Sequence, residues 1–355
     1  MQRIGIIPND RLINIPKSSW AHHEFCFHLH DLILGLLLQM EQQKAGLVKF
    51  EIASDEEKNL LSSDIHILDF LEATGRGDVE RRAVINHVCN ALYADMLHFI
   101  HDGLRALEKR KFSVALSLLR KPFKESLIIA ALMCDDEENF FKTMKYDAKN
   151  LLNKKIMDEM AVKKLFSDVV SNTEGAKFTN SDRIWDISFN FKNEYGLASL
   201  FDKATHLVTE FRRNQTENYN LNLIFKNPLD NDLYSGSIYQ QISIILLFLH
   251  IMQIESYSRM REPSKTYKNW LLITSLGAFE TLFSPGRSRM TKFVNSNFGT
   301  FMKCPVCQGT LKLKKRDAPR LFIGERISCP KCRTDQHFPF GWLLSQVDVD
   351  IMKHI

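Results

Sequence analysis

Two short knuckles, Cys304-Pro-Val-Cys307 and Cys329-Pro-Lys-Cys332, constrain this chain more than any other feature. A C-P-x-C segment turns tightly enough for both thiolates to reach one ion, and two such turns complete a tetrahedral four-sulfur shell. Cys304, Cys307, Cys329 and Cys332 are therefore expected to hold a metal. Zinc is the expected structural cofactor, and iron in the same four-sulfur shell is its competitor. Four cysteines leave no coordination position open, so the ion should hold structure rather than do chemistry. The other three cysteines, Cys26, Cys89 and Cys134, stand singly in apolar helical sequence, which reads as metal usage rather than a disulfide framework.

The 21 residues between the knuckles contain "TLKLKK" and "RLFIGERIS", which read as strands with "RDAP" as their turn; "QHFPFGW" offers a third. This pattern resembles the zinc ribbon family over residues 298–342. Charge concentrates here. Of the chain's net +5, Lys303 to Arg333 carries nine basic residues against two acidic ones, while elsewhere 38 basic residues face 40 acidic ones. Lys312, Lys314, Lys315, Arg316 and Arg320 gather around the expected turn, and such a cluster can contact the phosphates of RNA or DNA. Two plainer uses stay open: offsetting the net −2 of four thiolates around a dication, and a ribbon that is merely solvated or docks a protein.

With 45% hydrophobic residues in 355, the chain can bury a sizeable core. The expected fold is mainly α, a multi-helix bundle followed by the small β ribbon. Residues 1–17 read as an N-terminal arm, 18–290 as the helical body, 298–342 as the ribbon and 343–355 as a tail. Helical periodicity is expected from Ser18 or Ser19 through Lys44, from Val79 to about Lys109, and from Ser113 onward with an interruption at Pro122. The most apolar helix is expected from Ser237 to about Met260. Its core, "SIILLFLHIM", is shorter than a membrane span needs, so burial in protein is the expectation and no membrane association is. No basic region followed by an apolar block opens the sequence, so a cytoplasmic location is expected.

Three polar constellations in the body could carry chemistry. Arg82 and His87, in "RAVINH", form an Arg-x4-His spacing on one helix. Arg120 and Glu125 flank Pro122, and "KATHLVTEF" brings His206 from another element. The third is His22, Cys26 and His30, four apart on the first helix, where a transition metal is conceivable but no fourth ligand is identifiable. The plain alternatives are an Arg–Glu pair that fixes helix packing and core histidines.

The Arg-x4-His spacing resembles the motif of the HEPN superfamily, helical bundles that include metal-independent RNases of toxin and phage-defence systems. "ALSLLRKPFKESLIIAALM" resembles the Arg-and-Glu-bearing helix of HEPN-related prokaryotic proteins and "LFDKATHLVTEF" their later His-bearing element, over roughly residues 80–260. The resemblance implies a catalytic role for Arg120, Glu125, His206, Arg82 and His87. Arginine would stabilise the charged phosphorane, and histidine would move a proton during attack of the RNA 2′-hydroxyl. It also implies a homodimer. The functional expectation is thus a nucleic-acid-associated protein, an endoribonuclease if the resemblance extends to activity. The alternative is a non-catalytic helical interaction protein with a structural zinc-ribbon cap.

Overall fold

The apolar, helix-periodic stretches of the sequence become long helices packed against one another, and polar punctuation breaks the rest into short ones. A computed structural model describes residues 3–153, 155–193, 195–210, 215–216, 218–222 and 228–346. The helices are α1 (Trp20–Gln42), α2 (Asp55–Leu61), α3 (Ile67–Ala73), α4 (Gly77–Glu108), α5 (Phe112–Phe123) and α6 (Glu125–Asp135). They continue with α7 (Glu137–Asp147), α8 (Glu159–Asn172), α9 (Ser181–Ser188), α10 (Leu197–Thr205) and α11 (Pro228–Met260). The last part of the chain adds α12 (Lys265–Leu272), α13 (Ala278–Phe283), α14 (Arg289–Phe298), α15 (Ala318–Gly324) and α16 (Phe340–Gln346). Strands β1 (Arg326–Ser328) and β2 (Asp335–His337) form a small antiparallel pair with Ile327 opposite Gln336. The fold is mainly α, as the periodicity predicts.

The centre of the molecule is α1 packed on α11 and α4, with α4 packed in turn on α5. Side chains reach from helix to backbone across these contacts. Gln253 donates to the Ile33 carbonyl at 3.0 Å, Tyr93 to Leu249 at 3.2 Å, and Arg259 caps the end of α6 through the Met133 and Cys134 carbonyls. Helix α11 begins nine residues before the sequence suggests, with Pro228 at its first position, where a missing N–H costs nothing. By length and composition its Tyr234–Met260 part could cross a membrane, but 83% of its apolar stretch is buried inside the fold.

The N-terminal arm is pinned rather than free. Glu24 on α1 accepts the backbone N–H groups of Gly5, Ile6 and Ile7 at 2.8, 3.0 and 3.3 Å, and that of Ile4 with its other oxygen. Nearby, Glu108 takes Arg11, Arg105 and His23 around one carboxylate whose side chain is 1% exposed. Pro122 sits inside α5, and the break falls two residues later, at Lys124 (φ −125°, ψ −85°), where α6 restarts.

Helices α12 and α13 are one rod interrupted by a π-turn, Ile273–Gly277. Gly277 matters here because Phe322 of α15 presses against it; a Cβ would meet that ring at 2.9 Å. The expected strand "RLFIGERIS" is in fact helix α15 followed by β1. Leu321 and Phe322 are buried against α13 and the π-turn, so their apolar run serves helix packing rather than a sheet edge. "TLKLKK" is extended, but its pairing is one bridge, Thr310 with Lys303. Helix α14 was not anticipated. Ser288 caps it through the Thr291 N–H, and Met290, Phe293 and Val294 face inward.

Candidate metal centre and basic face

Each knuckle is built by local backbone geometry. Cys304 N–H donates to the Gly309 carbonyl and Gln308 N–H returns to Cys304; Cys329 and Arg333 repeat the pattern with Thr334. Gln308 (φ 54°) and Arg333 (φ 59°) both take the left-handed conformation just after the second cysteine, which closes the turn. The two knuckles thereby bring Cys304 Sγ to 3.6 Å from Cys332 Sγ, and Cys307 Sγ to 3.6 Å from Cys329 Sγ. All four sulfurs lie within 4.8 Å of one another. Metal–sulfur bonds of about 2.3 Å in a tetrahedron set sulfurs about 3.8 Å apart, so this cluster can hold a metal ion.

The surroundings favour thiolates. The Thr334 hydroxyl lies 3.0 Å from Cys332 Sγ, and with the Thr334 N–H it pulls the Cys332 thiol down to about 6. Burial would raise Cys304, yet hydrogen bonds from the Cys307 and Val306 N–H groups bring it below its ordinary value. At Cys307 a hydrogen bond from the Gly309 N–H is outweighed by burial and the neighbouring thiols, which hold it up at about 11. Four sulfurs this close cannot all ionise unaided, and a dication among them removes that conflict.

Of the five basic residues expected to meet phosphate, the structure gives two a structural task. Lys315 Nζ is held by the Ser284 and Gly286 carbonyls, the latter at 3.0 Å. Arg320, on α15, bonds Asp335 at 2.9 Å and Ser328 at 3.2 Å, bracing the helix to β1 and β2. Lys312 and Lys314 are exposed with no hydrogen bond or ion pair among the described residues, and exposed Arg316 meets Asp317 at 3.4 Å.

Sequence reasoning missed the other half of this face. The Lys315 bonds tie the basic turn to the Ser284–Gly286 turn, and Asn295 bonds Leu313 N–H and C=O at 2.9 and 2.8 Å. Helix α14 is thus laid beside the 312–316 segment, and exposed Arg287, Arg289 and Lys292 join Lys312, Lys314 and Arg316. The signal was available: residues 287–316 contain eight Lys or Arg and no Asp or Glu.

The body constellations are arranged otherwise. Arg82 and His87 have different partners: Arg82 grips Glu137 of α7 at 2.7 and 3.1 Å, while exposed His87 lines an apolar groove of about 790 Å³ with Leu37, Leu47, Phe50 and Leu71. Arg120 bonds Glu125 at 3.2 Å across the α5–α6 break, both about one-third exposed, with Arg120 Nε and Glu125 Oε2 buried and unpartnered. Lys124 sits between them, 8% exposed, its Nζ 4.9 Å from the Phe191 ring centroid; burial lowers it from the ordinary lysine range, partly opposed by Asp202.

His206 closes α10 and is exposed. Its imidazole makes no hydrogen bond or ion pair among the described residues. Helix α10 packs on α5, where the Ala204 carbonyl accepts from the Ser117 hydroxyl at 3.1 Å. No hydrogen bond or ion pair among the described residues links His206 to the Arg120–Glu125 pair.

His22, Cys26 and His30 do not converge as metal ligands. His22 stacks on Phe283, Cys26 lies 3.3 Å from Ser243 of α11, and His30 pairs with Asp31. Burial pushes the Cys26 thiol up to about 12. Among the described residues, the four C-terminal cysteines are the one group of three or more ligand-type side chains close enough to share an ion.

Compared with family models, curated proteins and solved structures, the chain matches none, so the HEPN resemblance stands without a family match.

Proposed function

We propose that the chain is a nucleic-acid-binding protein whose four-cysteine module, closed around zinc, presents a basic face to phosphates. The observation that carries this reading is the acid-free run of residues 287–316, folded so that Arg287, Arg289, Lys292, Lys312, Lys314 and Arg316 share one exposed surface. Zinc fits the tetrahedral sulfur spacing and needs no redox partner. Binding of RNA and DNA pools should weaken roughly a hundredfold between about 50 and 200 mM salt if four phosphates are engaged. A Lys312→Glu/Lys314→Glu variant should lose affinity uniformly across sequences. No binding at low salt, or binding indifferent to that variant, refutes the reading.

The Arg120–Glu125 pair supports a second reading, cleavage of bound RNA without a catalytic metal. The unpartnered Arg120 Nε beside Lys124 is a donor that a phosphodiester oxygen would satisfy, and the unpartnered Glu125 Oε2 is an acceptor for an RNA 2′-hydroxyl. An RNA time course with and without chelator tests it: cleavage should persist in chelator and vanish in Arg120→Ala, while binding remains.

A further inference from the structure

Where α12, the π-turn, α15 and α16 meet lies a cavity of about 480 Å³ with an aromatic lining. Two of the chain's four tryptophans, Trp270 and Trp342, open onto it with Tyr267 and Phe322. Tyr267 and Trp270 lie parallel, 6.1 Å between centroids and 12° apart, and Phe322 is fully buried beneath. Trp342 is 59% exposed at the mouth. The indole N–H groups of both tryptophans and the Tyr267 hydroxyl donate no hydrogen bond among the described residues and are open to solvent or a ligand.

Several devices hold these rings in place. Glu325, in the left-handed conformation at the end of α15 (φ 49°), accepts the Gly341 and Trp342 N–H groups at 3.0 and 3.3 Å and fixes the start of α16. The Thr274 hydroxyl bonds the Trp270 carbonyl at 2.9 Å, satisfying a group in the helix that the π-turn distorts. π-turns inside helices frequently mark functional sites.

From this geometry we infer that the cavity is a stacking pocket for an unpaired nucleobase of a single strand. This rests on the nucleic-acid reading above and names its substrate class. Helix α15 connects the two features: its first residue follows the basic turn at Lys314–Asp317, and its last residues, with Glu325, line the cavity. Seven residues at 1.5 Å each separate the ends by about 10 Å. A strand with one base in the pocket therefore carries its neighbouring phosphates to the Lys314 and Arg316 end. Stacking tolerates any base because each has a π-face, and the free indole and phenol donors can meet base edges. A paired duplex keeps its bases stacked inside and cannot fill the site.

The test uses the full-length protein loaded with zinc and three decamer probes: single-stranded RNA, the same RNA as a duplex, and an abasic strand with the same number of phosphates as the single strand. Anisotropy should show the base-bearing strand binding roughly 5- to 150-fold more tightly than the abasic one, with quenching of tryptophan fluorescence. Trp342→Ala should abolish that difference while leaving abasic binding unchanged, and Trp342→Phe should retain most of it. Lys312→Glu/Lys314→Glu should weaken base-bearing and abasic strands alike. Equal affinity for base-bearing and abasic strands, or equal loss of both in Trp342→Ala, overturns the pocket but leaves phosphate binding standing. Failure of all three probes to bind refutes the nucleic-acid reading itself. Saturable quenching by tetramethylammonium without any by the oligonucleotide would assign the cavity to a cation and overturn the inference.

Discussion

The cysteine knuckles and the Arg82–His87 pair are motifs of similar length, and they fold to opposite ends. In each knuckle four residues and one left-handed step after the second cysteine put both sulfurs on one side of the turn. On α4 a five-residue separation turns the chain through about 500°, which leaves the two side chains about 140° apart. Arg82 accordingly reaches α7, while His87 faces the groove between α1 and α4. A motif predicts a site when the backbone between its members is itself specified.

The sharpest way to break this comparison is to withdraw the metal ion that the four cysteines can hold. Apparent binding free energies of structural zinc run to roughly 10 kcal/mol or more, and in small modules that energy is folding energy. Helices α15 and α16 pack on α12, α13 and the π-turn, so the loss cannot stay at the knuckles. Cys329→Ser, or chelation of the wild type, should lower the melting temperature and change the near-ultraviolet signal of Trp270 and Trp342. A melt unaffected by chelator would mean that the cysteines carry no structural ion.

The next largest effects belong to the body, whose buried charges are structural where those of the basic face are solvated. Glu108→Ala strands Arg11 and buried His23 without their carboxylate, and breaking such a buried cluster costs about 3–5 kcal/mol. Lys312→Glu should leave the urea midpoint within the small range of a surface change. The same contrast sets the response to acid. Burial lowers His22 and His28 from 6.5 to about 4 and His250 to about 3, so each stays neutral in the fold. The unfolded chain takes up those protons first. Their contribution is therefore complete above pH 6.5 and is lost as pH falls toward 4 and then 3. Urea titrations at pH 7, 6, 5 and 4 should show a steady decline, and His250→Leu should flatten it.

How much was legible follows from the same distinction. Helices α1, α4 and α11 and the clustering of the four cysteines could be read because each depends on residues close in sequence: apolar spacing for the helices, the knuckle for each cysteine pair. "RLFIGERIS" misled because a short apolar run has no period that separates strand from helix; the flat face of the π-turn at Gly277 decided it. Lys315 and Arg320 looked like phosphate ligands until their partners, the Ser284 and Gly286 carbonyls and Asp335, were brought in from distant sequence. The cluster of Arg120, Lys124 and Asp202 depends on how α10 lies along α5, which no local pattern encodes.

Gly277→Val separates the metal's contribution from that of the seam between α13 and α15. Its Cβ would stand 2.9 to 3.0 Å from the Phe322 ring, and such overpacking typically costs about 1–3 kcal/mol. Zinc content should be unchanged, since the knuckles do not touch this residue, while the Trp342 fluorescence environment should shift. Loss of zinc together with stability would mean that the module closes only when docked.

The smallest effect expected sharpens the reading of α4. Arg82 is 29% exposed and Glu137 13%, a pair partly in water with good bidentate geometry, and pairs of that kind contribute on the order of 1 kcal/mol or less. Arg82→Ala should therefore shift the denaturation midpoint only slightly, and not at all in a Glu137→Ala background if each residue acts solely through the other. His87→Ala should be silent in stability, because that side chain is exposed. If instead RNA cleavage were abolished in either single variant with stability intact, the separation of Arg82 and His87 on α4 would have to be bridged by another copy of the chain, with one motif completing the other across a dimer. Unchanged cleavage in both variants leaves Arg82 as a strut between α4 and α7 and His87 as part of the groove wall.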